Sequence, residues 1–87
     1  MPQPASTRVE AVVIDVLKDV SRRPIEPASG DDLVVDLGFD SLQLLEVIGE
    51  LENRFDISIP QDELRATRTV EQIVAEMTRL TNVRGGP

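Results

Sequence analysis

Eighty-seven residues, 40% hydrophobic and with two Phe as the only aromatics, suit one small domain with a modest core. The chain has no Cys and no His, which removes disulfides, thiolate metal sites and the commonest metal ligand, so structural zinc is excluded. The net charge of −7 is concentrated: Glu26 to Glu63 holds eleven acids and one base, Arg54, while the remaining segments hold five acids and eight bases. A field of that sign repels nucleic acid and anionic membrane and accelerates encounter with surfaces rich in Arg and Lys.

No stretch approaches the roughly 20 apolar residues that span a bilayer, and Met1 to Thr7 lacks the basic start and apolar centre of a secretory signal. The expectation is a cytoplasmic monomer without a metal site. Residues 1–6, with two prolines, read as an N-terminal tail, 7–81 as the folded domain and 82–87 as a C-terminal tail. Thr7 and Glu10 have capping-box spacing, and Val9, Val12, Val13, Val16, Leu17 and Val20 repeat at helical intervals. This predicts a first helix from Thr7 to about Val20, whose β-branched residues depend on packing to stay helical.

Ser21, Pro24, Pro27, Ser29 and Gly30 then break the periodicity, leaving a connection of nearly 20 residues. Connections of that length in a small domain are functional or disordered. Here Ile25, Leu33, Val34, Leu37 and Phe39 offer apolar anchors that would hold the loop against the helices, with one helical turn near Asp31 to Val35.

The second predicted helix, Ser41 to Phe55, carries the most information. At about 100° per residue, Leu44, Val47, Ile48, Leu51 and Phe55 share a stripe wide enough for the core. Leu42, Leu45 and Gly49 form a second apolar strip roughly 100 to 160° from Leu44, bounded by Glu46 and Glu52. An apolar centre with a charged rim suits reversible docking.

Ser41 opens this helix, where unpaired N–H groups and the positive dipole end stabilise a phosphate on its hydroxyl. The serine has no His or Cys to activate it and the chain has one Lys, Lys18, so it reads as an attachment point rather than a nucleophile of the chain's own. Asp40-Ser41 is also an ordinary helix-capping pair, and the residues alone leave both roles open.

Asp56 to Pro60 reads as an extended link, because a lone strand would have no partner. Pro60 then favours a short helix through Gln61-Asp62-Glu63-Leu64. Thr69 with Gln72 forms another capping box, and Val70, Ile73, Val74, Met77 and Leu80 give the last helix its core face. The Asp31, Asp32, Asp36 cluster lacks the spacing of a calcium loop.

The run Asp36-Leu-Gly-Phe-Asp40-Ser41-Leu-Gln-Leu-Leu-Glu-Val-Ile-Gly-Glu-Leu-Glu-Asn-Arg-Phe-Asp56-Ile-Ser-Ile-Pro60, continued by Thr69-Val70-Glu71, resembles the acyl carrier protein family. The resemblance implies an all-α fold, a small bundle of three long helices and one short one. It implies that Ser41 carries a 4′-phosphopantetheine from coenzyme A, attached by a phosphopantetheinyl transferase, and that Asp40 helps the transferase hold its metal ion. The thiol of that arm would explain how a chain without Cys handles thioesters.

By the same resemblance Leu42, Leu45, Glu46 and Glu52 match the family's docking positions, toward an acyl-loading enzyme, ketosynthase or acyltransferase with a basic surface. Gln43 and Asn53 stand where many members have acids, Gly49 replaces a bulky residue and Arg54 adds a base, all weakening the acidic face. The altered face, and an arginine share of eight in nine basic residues, favour polyketide or related specialised metabolism.

The expected function is thus a discrete acyl carrier protein with no catalysis of its own. The alternatives are an aminoacyl or peptidyl carrier, although Gly38-Phe39 does not match their usual Gly-Gly, a carrier of primary fatty acid synthesis, and an unmodified helical adaptor for a basic partner.

Overall fold

The computed structural model describes residues 5–60, Asp62 and residues 67–85. Three helices make the fold: α1 (Ala5–Val20), α2 (Ser41–Phe55) and α3 (Val70–Gly85). Among the described residues the extended pairing is one isolated antiparallel bridge, Asp32 with Thr69, so the architecture is all-α. The short helix expected at Gln61 to Leu64 falls, save for Asp62, outside the described residues. No helix is long and apolar enough to cross a membrane among the described residues.

α1 is the central element and packs against both α2 and α3. It contributes Val9, Val13, Val16 and Leu17 to a core shared with Val47 and Leu51 of α2 and Val70, Ile73 and Met77 of α3. Leu44, Ile48 and Phe55 pack against that core from the border of the α2 stripe, so the helical phase read from the sequence holds. Met77 is a fully buried core filler.

Two boundaries move. α1 begins at Ala5, a strong helix former, so Thr7 lies inside the first turn and is not the cap that its spacing with Glu10 suggests. α3 runs to Gly85, beyond the end expected near Leu80. The helices thereby take in residues 5–6 and 82–85 of the segments read as tails.

The long connection between α1 and α2 is laced to the start of α3. Val70 and Glu71, whose N–H groups lack helical partners at that terminus, donate to the carbonyls of Asp31 (3.1 Å) and Ser29 (2.9 Å), and Leu33 N–H donates to the Arg68 carbonyl at 2.8 Å. Thr69 and Gln72 complete the cap, with Gln72 N–H on Thr69 Oγ1 and the Thr69 N–H on Gln72 Oε1.

A tight turn over 33–37 follows. Asp32 Oδ1 accepts from the N–H groups of Val34 and Val35, and Asp36 Oδ2 accepts from Asp32 N–H at 2.7 Å. The Val35 N–H above all, with the Val34 N–H and the Arg68 guanidinium 3.5 Å away, holds the Asp32 carboxyl below its ordinary value despite partial desolvation. Leu33 and Leu37, four residues apart, share the inward side of this turn and are buried with Phe39. Val34 and Val35 therefore face outward, at 51% and 75% exposure, and Val34 is not the anchor its apolar character suggests.

At the far end of α2, Arg54 forks between Asp15 and Asp19 of α1, at 2.9 Å to each. The hydrogen bond to Asp15 raises its pKa further, helped by the charges of Asp19 and Glu50. Asp56 ends the helix in a left-handed conformation at φ 53°, its N–H on the Glu52 carbonyl, and the chain continues without regular structure through Pro60 with Ile59 buried.

Leu51 is fully buried between these helices. Leu51→Ala is expected to lower stability by about 2 to 5 kcal/mol, read as a shift of the urea unfolding midpoint. A midpoint within error of the unaltered chain contradicts this packing.

Candidate functional site

The start of α2 is built by four consecutive residues with different tasks. Gly38 takes φ 77°, the left-handed region open to glycine, and donates its N–H to the Val34 carbonyl. Phe39 drops into the core and donates its N–H to the Leu33 carbonyl. Asp40, extended at φ −96° and ψ 178°, is the N-cap. Ser41 is the first helical residue and is exposed.

The cap is reciprocal. Asp40 Oδ1 accepts from Gln43 N–H at 2.8 Å, while Gln43 Oε1 accepts from Asp40 N–H at 3.2 Å. Gln43 is 7% exposed, and its Nε2 makes a long 3.5 Å contact with the Val20 carbonyl at the end of α1. Phe39 and Leu44 occupy the two positions of a hydrophobic staple, and both belong to the packed core.

Gln43 was expected on the exposed face as a missing acid; it is instead the inner half of the cap. Its Asp40-x-x-Gln43 spacing is the signal that could have revealed this, the same spacing that marks Thr69 and Gln72. Arg54 likewise lies on the opposite flank of α2 from Leu45, paired with α1, and leaves the acidic face intact.

Ser41 stands free at this capped start. With Gln43 N–H taken by Asp40, the backbone N–H groups of Ser41 and Leu42 have no protein acceptor among the described residues. An exposed hydroxyl, two unengaged N–H groups and the positive end of a 15-residue helix suit a phosphate monoanion esterified at this point. The residues present therefore fit a phosphopantetheine group.

Beside the serine, Leu42 is 60% and Leu45 54% exposed, so the long connection does not cover them. With Val34 and Val35 they are the exposed large hydrophobics among the described residues, and all four lie within seven positions of Ser41. Glu46 is exposed and forms no ion pair among the described residues. Glu52 is half-buried, with Oε2 accepting from Ile59 N–H at 2.8 Å, so one of its oxygens is committed to the link after α2. A Cβ at Gly49 would meet nothing within 4 Å; no part of the described chain needs the space that glycine leaves.

Residues 11–77 match the family described as phosphopantetheine attachment site. An acyl carrier protein of Amoebophilus asiaticus is 38% identical over 69 residues, 78% of this chain and 86% of that one. The tetracenomycin polyketide synthase acyl carrier protein of Streptomyces glaucescens is 32% identical over 74 residues, 85% of this chain and 89% of that one. A solved structure assigned as an acyl carrier protein from Mycobacterium tuberculosis superposes with a TM-score of 0.73 at 33% identity, covering 77% of this chain and 90% of the other. The chain belongs to the phosphopantetheine-attachment family, as an acyl carrier protein whose cofactor is a covalently attached 4′-phosphopantetheine.

The reciprocal cap predicts unequal roles for two amides of α2. Gln43→Ala is expected to cost about 1 to 2 kcal/mol in urea unfolding, and Asn53→Ala, at an exposed position, less than about 0.5 kcal/mol. Equal effects contradict the assignment of Gln43 to the cap.

Proposed function

We propose that Ser41 is the attachment point of the arm and that the chain is a discrete carrier that passes acyl intermediates between enzymes of polyketide or related specialised metabolism. The observation that carries the attachment is the exposed hydroxyl at the first position of a capped helix, beside two unengaged N–H groups. When bound, the arm supplies a thiol that holds the acyl group as a thioester.

The chain's own residues have presenting roles. Asp40 fixes the helix start through Oδ1, while Oδ2 has no protein partner among the described residues and is open to a metal ion brought by the transferase. Ser41 Oγ takes the phosphopantetheinyl group from coenzyme A, with adenosine 3′,5′-bisphosphate leaving and the hydroxyl proton passing to the transferase. The chain itself has neither His nor Cys to activate that hydroxyl, which supports a carrier without catalysis of its own.

Leu42 and Leu45 form the apolar centre of the docking face and Glu46 its charged rim, with Glu52 at the far border. The partners are a phosphopantetheinyl transferase and an acyl-loading enzyme, ketosynthase or acyltransferase, each with Arg and Lys opposite Glu46. The likeness to a polyketide synthase carrier and the arginine-rich composition support the metabolic setting, and the cytoplasm is the proposed location.

Incubation with coenzyme A and a broad-specificity phosphopantetheinyl transferase is expected to add the mass of one arm to the intact chain and none to Ser41→Ala. A gain that persists in Ser41→Ala rejects the attachment point. Glu46→Lys is expected to slow loading and flatten its dependence on salt without changing the unfolding midpoint. Loading rates equal to those of the unaltered chain at every salt concentration remove Glu46 from the docking face.

A further inference from the structure

Arg23 lies against the last residues of the segment leading into α2. Ser21 holds its backbone at the end of α1, accepting from Arg23 N–H at 3.3 Å and donating to the Arg23 carbonyl at 2.6 Å. Its guanidinium then lies over Gly38: a Cβ built at Gly38 would stand 2.8 Å from one terminal nitrogen of Arg23 and 3.6 Å from its Cζ. Gly38 suits its positive φ, and the guanidinium rests in the space that its missing Cβ leaves.

The cation is also uncommitted. Arg54, Arg68, Arg79 and Lys18 each have a carboxylate within 4 Å, whereas Arg23 pairs with no acid among the described residues. The contact between Gln43 Nε2 and the Val20 carbonyl independently brings the end of α1 beside the start of α2. Gly38 and Ser41 are three residues apart, so their Cα atoms are separated by at most about 11 Å, on the order of the Debye length at physiological salt.

From this placement we infer that Arg23 is a positioning residue for the phosphodiester at Ser41. The inference rests on the proposal that Ser41 bears the arm. A phosphodiester there acquires a negative charge next to the Asp40 carboxylate, which is mildly repulsive. The helix terminus offsets part of that repulsion, and the Arg23 guanidinium supplies the mobile remainder, drawing the proximal part of the arm toward Gly38. Without Arg23 the phosphodiester leans into solvent and the arm swings more widely.

The test compares unaltered and Arg23→Gln chains, each with and without the arm. Intact mass first establishes loading of both. Arginine side-chain NMR is expected to show the Arg23 Nε–H resonance moving on loading while that of Arg54 stays. The unaltered chain is expected to gain about 1 to 5 °C more in melting temperature from loading than Arg23→Gln does, with the difference lost in about 0.5 M salt.

A resonance of Arg23 that ignores loading, together with equal gains in the two chains, overturns the inference while leaving the attachment at Ser41 standing. Equal destabilisation of unloaded and loaded Arg23→Gln overturns it as well, because the residue then acts on the fold alone. An unaltered chain that gains no mass rejects both this inference and the attachment on which it rests. Slower loading of Arg23→Gln with an unmoved resonance assigns the charge to the transferase and rejects the role on the arm.

Discussion

The reciprocal cap between Asp40 and Gln43 is the constraint on which the rest of the site depends. It satisfies two backbone donors with the two side chains, commits Gln43 to the interior, and leaves the Ser41 side chain between them exposed and without a hydrogen bond among the described residues. A residue at the first position of a helix points away from the axis. Phe39 and Leu44 pack on either side of the cap, and Ser41 is exposed between them. The hydroxyl is held out by what surrounds it, which is what a point of covalent attachment requires.

The cap is in turn held by distant parts of the chain. The connection before α2 has no regular structure of its own, yet its carbonyls at Ser29 and Asp31 cap α3 and its Leu33, Leu37 and Phe39 are buried. Asp32 gathers two N–H groups of the turn and faces Arg68. A loop so bonded gives α2 a fixed starting point while leaving Val34 and Val35 outward. Exposed apolar side chains thus occur on both the turn and α2, two elements anchored in the same core.

Much of this was legible in the sequence because the helices are strongly periodic. The core stripe of α2, the core faces of α1 and α3, and the capping box at Thr69 and Gln72 follow from spacing alone. The exposure of Leu42 and Leu45 also agrees with the helical phase. What escaped depends on non-local geometry or on competition between two similar signals. Thr7 has cap spacing, but the helix extends past it to Ala5. Arg54 reads as a base within an acidic block until α1 brings Asp15 and Asp19 to it. Gln43 reads as a surface amide until the cap at Asp40 closes on it as a reciprocal pair. The seating of Arg23 over Gly38 joins two segments fifteen residues apart, and no local pattern announces it.

The central claim is that one hydroxyl, of the five serines at positions 6, 21, 29, 41 and 58, is presented for attachment by a capped helix start. Proteolysis of the loaded chain followed by tandem mass spectrometry tests it most directly. The account predicts the arm on Ser41 alone, in the peptide that also contains Asp40 and Gln43. An arm found on any of the other four serines contradicts it.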